Sequence, residues 1–167
     1  MSMLQTVDGT DVESLTRGPR GPSDRLDSVQ VRVATLDFSL VKQKLMVKQN
    51  WEAELCDRVE GLYRQFLALH ATYPETMLVP SPSLDEFWHR HILDTQKYAE
   101  DCEFVFGRFL HHAPSTGTSE ERETMNEKFT ETIELFRFHF GSDPRATPKD
   151  FEVVAHCGCH RCRCRCG

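Results

Sequence analysis

The stretch Trp51-Glu52-Ala53-Glu54-Leu55-Cys56-Asp57-Arg58-Val59-Glu60-Gly61-Leu62-Tyr63-Arg64-Gln65-Phe66-Leu67-Ala68-Leu69 carries apolar residues every three or four positions: Trp51, Leu55, Val59, Leu62, Phe66 and Leu69. A chain turning by about 100° per residue lays these side chains on one stripe along about five turns, the signature of a long amphipathic helix. Cys56, Tyr63 and His70 fall on its shoulder. The helix must stop near Tyr73-Pro74, because the residue before a proline avoids helical angles.

Such a stripe has to be covered by other helices, and the chain supplies them on both sides. Toward the C-terminus, Ser83-Leu84-Asp85-Glu86 has the form of a capping box, and Leu84, Trp88 and Ile92 give the face that follows. Asp94 is a natural N-cap for a further helix bearing Tyr98, Cys102, Phe106 and Phe109, unless the two run on as one. Thr118-Ser119-Glu120-Glu121 is a second capping box, followed by Met125, Phe129, Ile133, Phe136 and Phe140. Gly141 stands where a left-handed terminator belongs, and Pro144 and Pro148 block continuation. Toward the N-terminus, Leu36, Leu40, Val41 and Leu45 fit a short helix, although Val31 and Val33 alternate as a strand would. With no internal repeat and no convincing sheet, the expected fold is all-α, a single bundle of four to five helices.

The ends differ in composition. Residues 1–30 are rich in Gly, Pro, Ser and Asp, with no apolar period, and read as a disordered arm. Residues 31–143 form the expected helical domain, and residues 144–167 a flexible, cysteine-rich tail. The 167 residues suit one domain with two tails; 39% hydrophobic residues, including 11 Phe and 2 Trp, are enough for one core. A mean hydropathy of -0.49 and 28% charged residues describe a water-exposed surface.

No stretch nears the roughly 20 apolar residues of a membrane span, and Met1 to Arg20 lacks the apolar segment of a secretion signal, so a cytoplasmic protein without a membrane partner is expected. In that compartment the seven cysteines stay reduced and free for metals or redox chemistry. A net charge of -6 argues against nucleic acid as a partner, since phosphate backbones require a basic surface.

Chemistry-bearing residues concentrate in two places. The first is Asp85-Glu86-Phe87-Trp88-His89-Arg90-His91-Ile92-Leu93-Asp94, with Asp101, Cys102, His111 and His112 following. On one regular helix His89 and His91 point nearly opposite ways and take different roles. His91, Asp94 and Tyr98 share a face at spacings of three and four, so an imidazole and a carboxylate there suit one ion, with His111 or His112 as a further ligand from the helix end. Imidazole with carboxylate fits zinc, iron or manganese. The competing reading is structural: a buried histidine bonded to a carboxylate or carbonyl braces helices, and Asp94 is also a cap. His70, His139 and Trp88 read as structural residues.

The run from Leu36 through Phe140 resembles the bacterial branch of the glycine-rich domain-containing protein-like family. The resemblance is carried above all by Asp85-Glu86-Phe87-Trp88-His89-Arg90-His91-Ile92-Leu93-Asp94-Thr95 with Tyr98, Asp101-Cys102, Phe106-Gly107 and Leu110-His111-His112. In that family the paired histidines are followed by proline, an aromatic residue and Phe-Gly, where Ala113-Pro114-Ser115-Thr116-Gly117 stands here. The glycine-rich regions of its plant members are absent. The resemblance implies no reaction; it implies that the His, Asp and Cys positions of the motif, His89, His91, Asp94, Cys102, His111 and His112, form a common site.

The second place is the tail, His156-Cys157-Gly158-Cys159-His160-Arg161-Cys162-Arg163-Cys164-Arg165-Cys166-Gly167, which holds five Cys, two His, three Arg and two Gly. Cys-x-Cys pairs are too close for a zinc knuckle, but they let several thiolates wrap soft ions in a metallothionein-like cluster of Cu(I) or zinc. The interleaved arginines lower thiol pKa values, which favours metal capture and oxidation.

Three functions follow. The first is a metal-binding protein, with a His/Asp site on the helical domain and a soft-metal tail for capture or delivery, zinc or copper being the expected ions and iron an alternative at the His/Asp site. The second is a metal-dependent enzyme using that site, although neither a nucleophile–base pair nor a His-Glu-x-x-His helix is present. The third is a carrier whose cysteine-rich end, from His156 and Cys157 through His160 to Cys166, is acted on by a modifying enzyme or another protein partner.

Overall fold

A computed structural model of the chain describes residues 21–113 and 118–152. Among them are seven helices and no strand: α1 Pro22–Ala34, α2 Ser39–Gln49, α3 Ala53–Thr72, α4 Pro82–Ile92, α5 Thr95–Phe106, α6 Ser119–Phe140 and α7 Pro148–Glu152. The class is all-α, as expected.

The long apolar stripe becomes α3, the hub of the bundle, which packs against α1, α2, α4 and α6. Val59, Tyr63, Phe66 and Leu69 on it are fully buried. It ends at Thr72, with Tyr73 as the C-cap ahead of Pro74. Phe38, at the entrance of α2, inserts into this core edge-on to Tyr63 and Phe87, with ring centroids 5.3 and 5.7 Å apart. Above it the Arg64 guanidinium stacks 4.7 Å from the Phe38 ring and donates to the Val33 and Leu36 carbonyls, closing the exposed end of α1.

Helix α1 moves the boundary expected at residue 30. Leu26, Val29 and Val33 lie at spacings of three and four, are buried, and belong to the main core, so residues from Pro22 onward are part of the helical domain. Val31 and Val33 sit on one α-helix, exposed and buried respectively, and the strand alternative falls away. Pro22 stands at the helix start, where its missing N–H costs nothing. The Gly/Pro composition there marks a helix entrance. The rest of the expected arm, residues 1–20, lies outside the described residues.

Helix α4 starts earlier than the expected capping box. Its N-cap is Ser81, whose Oγ accepts from the Leu84 amide at 3.4 Å, with Pro82 in the first turn. Ser83 is occupied otherwise: its amide and hydroxyl donate to Asp150 at 2.9 and 2.7 Å. Asp150, 1% exposed, also accepts from the amides of Ala146 and Thr147 at 2.8 Å each, so α7 is fixed to the start of α4. The domain therefore continues through α7, past the boundary expected at residue 143. The Thr118 cap of α6 is where it was expected, accepting from the Glu121 amide at 3.3 Å.

Helices α4 and α5 are separate, broken at Leu93-Asp94. Asp94 holds the N-cap position of α5, but its side chain makes no capping bond. Gly107 and Gly141 end α5 and α6 at φ +63°, a left-handed conformation that a side chain disfavours.

Candidate metal centre

Helix α4 carries its two histidines to opposite environments. His91 is 2% exposed and faces the core. Its Nδ1 is 3.0 Å from the Tyr63 hydroxyl and its Nε2 is 3.0 Å from Asp101 Oδ2. Burial holds its pKa down at about 4, against the pull of Asp101, so the ring is neutral. A neutral ring fits this network in one tautomer, with Nε2–H donating to Asp101 and Nδ1 accepting from Tyr63. Lys97 closes the arrangement by donating to both Asp101 oxygens at 2.5 and 2.6 Å. Neither nitrogen of His91 is free for an ion.

The expected partners of His91 are placed apart from it. Asp94 is half-buried at the helix break, its amide donating to the His91 carbonyl at 3.1 Å, and it is not among the residues that converge. Cys102 is a buried free thiol beside Tyr98 and Leu110, raised in pKa by burial, and stands outside the histidine cluster. His111 is exposed and stacks on Phe109 with centroids 4.9 Å apart. His156, Cys157, Cys159, His160, Cys162, Cys164 and Cys166 lie outside the described residues.

The other face of α4 brings together a set of side chains that could hold a metal ion. Asp85 and His89 are one helical turn apart, and His112 arrives from the segment after α5. His112 Nε2 lies 2.9 Å from Asp85 Oδ1, and His89 Nδ1 lies 3.7 Å from Asp85 Oδ2. The two imidazole rings are 4.5 Å apart, and one ligand atom from each of the three residues lies within 4.8 Å of the others. Ligands bonded to one ion at about 2.0–2.2 Å stand at most roughly 4.4 Å apart, so small side-chain rotations suffice. An ion there would take the place of the His112–Asp85 hydrogen bond, with both groups turned to it as ligands. The side chains of Asp85, His89 and His112 are 23%, 22% and 18% exposed, reachable from solvent yet partly screened.

A relay of hydrogen bonds places His112. Trp88 Nε1 donates to the Tyr98 hydroxyl at 2.9 Å, and Tyr98 donates to the Leu110 carbonyl at 2.6 Å, fixing the segment two residues before His112. The Trp88 indole then lies 4.8 Å from the His112 ring. Trp88 and Tyr98 act on the cluster from behind, as orienting groups do in metal sites.

The model of the UCP032817-like family matches residues 29–158. The chain belongs to this family. The match begins inside α1 and runs past α7, so it covers all of the helical domain of this UCP032817-like protein except the first part of α1. It overturns the resemblance to the glycine-rich domain-containing protein-like family. Trp88, His91, Tyr98 and Asp101, which carried much of that resemblance, are buried among α3, α4 and α5. No curated protein and no solved structure matches the chain.

Asp85 opens the histidine and carboxylate segment, yet it is the member of the three-residue set that the spacing argument did not name as a ligand. The signal was present: Asp85 and His89 are spaced i, i+4, as His91 is not with any carboxylate of α4. What brings His112 to them is tertiary and leaves no mark in local spacing. Among the described residues no helix is long and apolar enough to cross a membrane.

Proposed function

We propose that this UCP032817-like protein is a metal-binding protein whose Asp85, His89 and His112 hold one divalent transition ion. The observation that carries the reading is the convergence of two imidazoles and a carboxylate from two separate segments, within 4.8 Å. Neutral imidazole and carboxylate suit zinc or iron, and a three-residue set leaves coordination positions open. In the same reading the five tail cysteines, Cys157, Cys159, Cys162, Cys164 and Cys166, take a soft ion, Cu(I) or zinc, for capture or delivery.

A second reading, a metal-dependent enzyme, is favoured by one feature: two of the three ligand residues line an apolar cavity. Three protein ligands with an open position are the usual arrangement of catalytic zinc, whereas structural zinc is closed by four.

Anaerobic metal analysis and native mass spectrometry of the full-length chain, beside a full-length chain with serine at the five tail cysteines, test both parts. The serine-substituted chain is expected to retain about one equivalent of zinc or cobalt, and the unsubstituted chain to bind several equivalents of Cu(I) in addition. Equal Cu(I) uptake by the two would remove the tail from the reading. Absence of any ion from the substituted chain would remove the helical site.

A further inference from the structure

The Asp85–His89–His112 cluster stands at the edge of a cavity of about 180 Å³, with Asp85 and His112 in its wall. The rest of that wall is largely apolar, built from Leu78, Val79, Pro80, Trp88, Met77 and Met125. Trp88 spends its indole N–H on Tyr98, so toward the cavity it offers only ring surface. His70, also in the wall, is held neutral, with burial lowering its pKa to about 4, and brings no charge. In size, a cavity of about 150 Å³ lined by Leu, Ile and Phe is known to admit benzene.

We infer that this cavity binds a small, largely apolar molecule of about one ring in bulk, whose chelating oxygen or nitrogen head completes the coordination of an ion held by Asp85, His89 and His112. The inference rests on the metal reading above and gives it a ligand class. The geometry sets both halves of the ligand. The open coordination positions take a donor head, and the wall beyond them holds no further carboxylate, Lys or Arg to meet a second charged group; His111 stands at its exposed edge. A polyanionic or zwitterionic molecule would leave its second charge desolvated against Leu78, Val79 and Met125. A donor head without a ring would leave that apolar surface in water.

The test uses the full-length chain with serine at the five tail cysteines, loaded with cobalt so that ligand binding at the ion is read from its visible spectrum. Three probes separate the two halves: benzohydroxamate has head and ring, acetohydroxamate has the head alone, and benzyl alcohol has a ring without a chelating head. The cobalt-loaded protein is expected to bind benzohydroxamate about ten- to a hundredfold more tightly than either other probe, as burial of one ring implies. Met125→Trp, or Met77→Trp at a half-exposed position should the first impair folding, fills the cavity and is expected to abolish the ring preference without changing cobalt uptake. Equal affinities for the two hydroxamates would overturn the inference and leave the metal site standing. Failure of the protein to take up cobalt at all would overturn the metal reading and the inference with it.

Discussion

The two faces of α4 place chemically identical side chains in opposite circumstances. His91, His89 and His112 are all imidazoles within reach of a carboxylate. His91 is sealed in the core, with both nitrogens bonded and its carboxylate partner neutralised by Lys97. His89 and His112 share one carboxylate, half-buried, with potential ligand atoms within 4.8 Å of one another, and Asp85 and His112 line a cavity. The difference teaches that proximity to a carboxylate does not distinguish a structural histidine from a ligand. Saturation does: a ring whose two nitrogens are already paired inside the protein has no valence left to offer.

The largest effect that could break this contrast is on stability. His91→Ala is expected to lower unfolding stability by about 2–4 kcal/mol, because it opens a cavity and strands the buried Tyr63 hydroxyl. Metal uptake should be unchanged. Denaturant unfolding with parallel metal analysis checks both, and loss of the ion from a well-folded His91→Ala chain would reverse the assignment of the two faces.

Next in size is the anchor at the start of the same helix. Asp150 follows the His91 pattern, a buried carboxylate saturated by four donors. Asp150→Ala is expected to cost about 2–3 kcal/mol, since it leaves the Ser83, Ala146 and Thr147 amides without that acceptor. A chain truncated after Asp143 should be destabilised similarly, while one truncated after Glu152 should melt as the full chain does. Equal melting of the two truncated chains would restore the earlier domain boundary.

The contrast also has a pH dependence. Burial holds both His91 and His70 at about 4, below their ordinary 6.5. Their neutral forms are favoured by folding, so the stability they contribute is complete above about pH 6.5 and is lost as the pH falls toward 4. A decline of about 3 kcal/mol per histidine across that window is expected, and so about half as large in His91→Ala. Identical pH profiles for the two chains would show that His91 is not the buried neutral group described here.

Much of the fold was legible in the sequence. The α3 and α6 stripes, the stop before Pro74, the Thr118 cap and the Gly141 terminator each depend on residues within a few positions of one another, and local physics settles them. The α1 helix was missed because its apolar residues are few and its entrance is rich in Gly and Pro; its stability comes from docking on α3, which no local pattern reveals. The α4 start was misplaced because Ser81 and Ser83 are both competent caps, and Asp150, 67 positions away, decides between them by engaging Ser83. The candidate site was half legible. The density of histidines and carboxylates pointed to the correct segment, and the opposed directions of His89 and His91 follow from helical geometry. Which of the two faces outward depends on Tyr63 and Asp101 reaching His91, and the return of His112 depends on the Trp88–Tyr98–Leu110 relay.

The smallest expected effect on stability accompanies the largest on metal binding. Partly exposed ion pairs contribute about 0–1 kcal/mol, so His89→Ala and His112→Ala together should leave the metal-free melting temperature almost unchanged. Zinc titration and melting temperature, measured together on full-length chains with serine at the five tail cysteines, bring the two faces into one experiment. With both faces intact, the chain should bind about one equivalent of zinc and melt at a higher temperature when loaded. The His89→Ala/His112→Ala chain should melt as the metal-free parent does and gain nothing from zinc. A parent chain that takes up no ion under zinc-replete conditions, while melting at full temperature, would contradict the assignment and leave Asp85, His89 and His112 as a surface ion-pair cluster.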